Sequence, residues 1–136
     1  MKGSTEAWLE LAARDLRAAQ RLVEDEYVAN IVIFHCQQCV EKSLKALLEE
    51  AGVDVPRIHG IHRLSALVED KAEYLLPLSE EEMDMLDDVY IDTRYPGGLG
   101  LLPSGFPSKQ EGERFLEIAE RVYDAVREFL TGGRQG

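Results

Sequence analysis

Between residues 5 and 26, Leu9, Ala12, Leu16, Ala19 and Val23 recur at the spacing of one helical face, while Arg14, Asp15, Arg17 and Arg21 are read as lying off it. This predicts an amphipathic helix with one buried stripe. From about 28 to 51 the pattern changes. Ile31, Val32, Ile33, Phe34, Val40, Leu44, Leu47 and Leu48 spread around most of the circumference before Gly52 supplies a stop, so this helix belongs in the middle of a bundle. Residues 52–61 form a connection, and Leu64, Leu67 and Val68 mark a shorter helix beginning near His62 that ends before Pro77.

Two further helix starts carry a local chemical signature. Ser79 followed by Glu82, and Ser108 followed by Glu111, are capping-box patterns, in which side-chain oxygens satisfy the free amides of a first turn. Met83, Leu86 and Val89 or Tyr90 continue the first of these helices. Phe115, Ile118, Val122, Ala125 and Phe129 form the stripe of the second, which ends near 131–133. Between them, residues 93–107 hold three prolines and four glycines but also Leu99, Leu101, Leu102 and Phe106, so part of this loop is expected to pack on the bundle or on a partner. No segment alternates with strand periodicity. The expected fold is all-α, with four to five helices in one domain over 1–136 and a flexible tail at about 132–136.

Composition sharpens this outline. At 136 residues, 45% hydrophobic and 30% charged, the chain can bury a core without disulfides, and no apolar run approaches the ~18 residues of a membrane span. The first residues lead into an acid-bearing amphipathic segment instead of an apolar signal core. Two cysteines three residues apart are too few for a disulfide scaffold, so the expected location is cytoplasmic. Net charge is −11, but residues 69–92 alone hold ten acids and one base, which leaves the rest of the chain nearly neutral. A surface of that kind repels nucleic acid along one helix and favours a basic partner there.

The chemistry concentrates in Phe34-His35-Cys36-Gln37-Gln38-Cys39-Val40-Glu41-Lys42. Helical geometry puts Gln37 and Glu41 within the apolar arc of Ile33, Leu44 and Leu48, and places His35, Gln38 and Lys42 together on another face. A buried carboxylate needs a cation or several donors, so Glu41 is expected to have a fixed partner, with Arg94 or a nearby histidine as candidates. The alternative to a ligand site is a buried polar network of Gln37, Glu41 and Asp92 that fixes helix register. Cys36 and Cys39 form a C-x-x-C inside an apolar helix, away from an exposed helix start, and are read as packing residues without a metal. No Glu-x-x-His pair, second cysteine pair or phosphate loop is present, so neither metal nor cofactor is expected. Thr93-Arg94-Tyr95-Pro96 ends a helix at a defined point, since proline restricts Tyr95 to extended conformations. Arg94 beside Asp92 can then bind a phosphate or neutralise Glu41.

Phe34-His35-x-Gln37-Gln38-x-x-Glu41-Lys42 with Leu44-Lys45-Ala46-Leu47, then His62-x-Leu64-x-x-Leu67, then Tyr90-Ile91-x-Thr93-Arg94-Tyr95-Pro96, resembles the prokaryotic branch of the HEPN domain family over nearly the whole chain. The resemblance implies an up-and-down helical bundle that forms a homodimer. It also implies a minimal nucleotidyltransferase partner, often in a toxin–antitoxin pair, and nucleotide or RNA binding. Many members of that family are metal-independent ribonucleases with an Arg-x(4–6)-His motif. Here no histidine follows Arg94, and the spacing from Arg57 to His62 falls in a Pro/Gly connection. No catalytic residue is therefore assigned, and His62 and Arg94 are the candidates for a base and a phosphate-binding cation. The expected binding set is His35, Gln38, Lys42, His62, Arg94 and Tyr95. The expected function is a partner-dependent HEPN protein without strong catalysis; the alternatives are a ribonuclease toxin with an altered site and a purely structural interaction module.

Overall fold

The structure, a computed structural model, describes residues 1–55, 57, 60–91 and 99–132. Five α-helices follow one another: α1 Gly3–Leu22, α2 Ala29–Glu50, α3 Ile61–Lys71, α4 Glu80–Asp87 and α5 Lys109–Thr131, with a 3-10 turn at Glu26–Val28. The fold is all-α, as the periodicity predicts. Among the described residues extended pairing is confined to an isolated bridge between Leu102 and Gly105. The expected tail, from 133 onward, lies outside the described residues.

α2 is the middle of the bundle, packing chiefly on α1 and α5 and then on α3. Ile33, Leu44, Leu47 and Leu48 are fully buried on it, together with Cys36 and Cys39. It ends where its sequence predicts. Gly52 at φ +77° follows the last turn, Val53 N–H donates to the Leu48 carbonyl and Gly52 N–H to that of Glu49, a pair of bonds that closes a helix through a left-handed glycine. α1 runs antiparallel to α2, with Thr5 bonded to Glu50 at one end and Asp15 to Lys42 further along. α5 lies alongside α2 with Gly112 against Val32, where a Cβ would sit 3.6 Å from Val32 Cγ1.

Both capping boxes form. Ser79 Oγ accepts from Glu82 N–H while Glu82 accepts from Ser79 N–H, and Ser108 and Glu111 do the same. Glu82 also joins two helices. Its buried carboxylate takes two parallel bonds of 2.9 Å from Arg121 of α5. Arg121 also donates to the Pro77 carbonyl and to Glu117, so α4 is clamped to α5 through one guanidinium. That neighbour holds the Glu82 carboxyl at about 2, below its ordinary value of 4.5.

The loop before α5 divides. Leu102 and Pro107 are buried, and Asn30 of α2 donates to the Leu99 carbonyl at 3.0 Å, so this part of the loop packs on the bundle. Gly100 makes the approach possible: at φ +72° its N–H bonds the Tyr90 carbonyl, and a Cβ there would fall 1.7 Å from the Asn30 carbonyl oxygen. Phe106, by contrast, stands 77% exposed. On α5 the buried stripe is Phe115, Ile118, Val122, Val126 and Leu130, while the predicted Ala125 and Phe129 are half-buried beside it.

Candidate functional site

The sequence pattern put Asp15 off the apolar face of α1, and the structure corrects this. Asp15 is buried, lying between Ala12 and Leu16 and facing α2. The physical reason is its two partners. His35 Nδ1 donates to Asp15 Oδ1 at 2.8 Å, and Lys42 Nζ donates to Oδ2 at 2.7 Å, so both carboxylate oxygens are satisfied by groups from adjacent levels of α2. His35 and Lys42 therefore do share a face, as predicted, and a carboxylate that the sequence reading missed brings them together. With Nδ1 turned to Asp15, Nε2 is the ring nitrogen left for other contacts. Gln38 turns aside, donating through Nε2 to Gln37 Oε1 at 2.8 Å.

Gln37 and Glu41 are both buried, as their place in the apolar arc predicts. Lys45, one turn on, donates to Glu41 Oε2 at 3.2 Å, and its ammonium sits 5.4 Å from the Trp8 ring centroid of α1. Lys45 is thus one fixed partner of Glu41, and its (i, i+4) spacing was the signal for it. Arg94, Tyr95 and Asp92, the other predicted residues, lie outside the described residues. Cys36 and Cys39 are fully buried, and burial pushes both thiols up, Cys39 to about 12, which keeps them protonated and unreactive near neutral pH.

His62 occupies a different place. It starts α3, where Asp87 of α4 accepts from the backbone N–H groups of Ile61 and His62 and so caps the helix from across the fold. Its ring donates from Nε2 to Asp84 Oδ1 at 2.7 Å, with Glu80 3.6 Å from Nδ1. The bond to Asp84, with the charges of Asp84, Asp87 and Glu80, raises the His62 pKa above its ordinary 6.5. His62 lines a hollow of about 470 Å³ together with Gln37, Arg63 and Asp87. Through Gln37 the central helix reaches this hollow, whereas His35 and Lys42 face α1. The four described members of the predicted set thus fall into two groups, because α1 and α3 pack on different sides of α2.

Fold and site together define a helical-bundle protein whose central helix carries buried polar residues toward two neighbours. The chain belongs to the HEPN domain family, whose profile matches residues 5–129. Over 131 residues, 90% of this chain and 86% of the relative, it is 29% identical to the protein named "Putative toxin MJ1304" of Methanocaldococcus jannaschii. Among solved structures, ST0689, described as an archaeal HEPN homologue, is similar with a TM-score of 0.65 at 24% identity, covering 96% of this chain and 100% of that one. No helix of the described residues is long and apolar enough to cross a membrane.

Proposed function

We propose that this HEPN protein is the toxin-type member of a toxin–antitoxin-like module, acting with a minimal nucleotidyltransferase partner and binding nucleotide or RNA without strong catalysis of its own. The observation that carries the reading is the family match over 5–129 together with a relative named as a toxin. Charge supports the second half. Asp15 already neutralises Lys42, and Asp84, Asp87 and Glu80 surround the His62 imidazole, so neither of these two side chains offers a phosphate an unopposed cation. His35 and the half-buried Gln38 are the groups assigned to a nucleobase or ribose, with Arg94 and Tyr95 as further members of the proposed set. The chain works as a cytoplasmic homodimer in this account.

Affinity purification of the tagged chain, expressed from its native gene context, tests the pairing. A small nucleotidyltransferase eluting in stoichiometric amount supports it, and an eluate without one contradicts it. A second reading, a ribonuclease with an altered site, rests on His62 and Arg63 lining the same hollow, an imidazole beside a cation. It predicts that the isolated chain cleaves RNA without metal.

A further inference from the structure

Around the start of α5 two surface hollows meet. One, of about 780 Å³, is lined by Tyr27, Val28, Ile31, Phe106 and Pro107; the other, of about 440 Å³, by Met85, Leu102, Pro103 and Phe115. They share Ser108 and Glu111, so both lie against the N-terminal turn of α5, and the larger is the groove between Tyr27 and Phe106. Tyr27 is 91% exposed and Phe106 77% exposed, the two most exposed aromatic rings among the described residues, and both stand on the same hollow. Large aromatics left in water on the wall of an apolar groove mark a contact surface, since each would bury most of its ring against a partner.

The rim states the sign of that partner. Glu24, Glu26 and Glu113 surround the Lys109 ammonium and favour its charged form; Glu24 holds it at 2.9 Å, and Glu26 also accepts from the Lys109 backbone N–H at 2.8 Å. Glu26 and Glu111 line the larger hollow, and Asp88, Glu111 and Arg114 the smaller. The rim is therefore acidic after its own lysine is counted. A second copy laid on this face would bring acid against acid, and a nucleic acid would be repelled.

We propose that this groove docks a polypeptide segment of another protein, one that carries an aromatic or aliphatic anchor between Tyr27 and Phe106 and lysines or arginines on either side. The groove uses none of His35, Lys42 or His62, so the inference holds whatever those residues bind. Its anchors are exposed side chains outside the core, which makes Tyr27→Ser/Phe106→Ser a variant expected to melt within a few degrees of the parent.

A phage-displayed peptide library panned on the full chain, with the double variant as counter-target, tests this. Enriched sequences are expected to combine an apolar anchor with flanking Lys or Arg. A synthetic peptide of the consensus should bind the parent at least tenfold more tightly than the variant, and bind less tightly as salt rises. No enrichment over the counter-target, an acidic or uncharged consensus, or equal binding to both proteins would overturn the proposal. Sedimentation of the free chain closes the remaining possibility: a dimer that the double variant converts to monomer assigns the face to a second copy and likewise overturns it.

Discussion

The α1–α2 interface and the α3–α4 corner each place a histidine against carboxylates, with opposite balance. At Asp15 one buried carboxylate meets two donors, an imidazole N–H and an ammonium, and is fully paired. At His62 one half-exposed imidazole meets Asp84, Glu80 and Asp87, an excess of acid. Burial explains the contrast. A charge taken out of water must be matched, whereas one at the surface can remain over-compensated because solvent screens the excess. The first cluster is accordingly expected to govern stability, and the second to govern how the molecule meets phosphate and how it responds to pH above about 6.5.

The largest effect is expected at Asp15. Asp15→Ala leaves His35 and Lys42 without their carboxylate and should cost about 3 kcal/mol of unfolding free energy in urea, since breaking a buried pair strands its partners. Asp84→Ala, at the more exposed corner, should cost well under half as much; equal losses would erase the distinction between the two regions. Next comes the α4–α5 clamp. Arg121→Ala should cost about 2 kcal/mol, moderated because the guanidinium is partly solvated. The Glu82 carboxyl is held at about 2 against an ordinary 4.5, so the stability it contributes is present above pH 4.5 and is lost as pH falls toward 2. Glu82→Gln should flatten that acid limb of the stability curve, and an unchanged limb would show that Glu82 does not set it.

A smaller effect belongs to His62. Because its pKa is raised in the folded protein, the stability it adds is full below about 6.5, the ordinary value, and fades as pH rises through the native value. NMR titration of the ring should show a midpoint above 6.5 that Asp84→Asn lowers. A midpoint that does not move would assign the shift to some group other than Asp84.

Local signals in the sequence carried most of the fold. The two capping boxes and the Gly52 stop depend on residues within a few positions of each other, and the all-round apolar α2 could only be central. The site was legible in halves. Periodicity put His35 and Lys42 on one face, but it could not show that α1 covers that face while α3 and α4 hold His62. Asp15 was readable in principle, since positions 12, 15, 16 and 19 share one arc of a helix; its charge argued for solvent, and only the partners on α2 reverse that. Asp87 capping α3 and Arg121 gripping Glu82 join residues 26 and 39 positions apart in the chain, beyond any local pattern.

The contrast between the two histidines makes one demand on activity. Purified chain, free of partner, incubated with a mixed RNA pool in chelator should leave the RNA intact, because the acid around His62 repels phosphate and Asp15 occupies Lys42. Cleavage that the parent performs and His62→Ala abolishes would contradict the account and make the α3–α4 corner a ribonuclease active site.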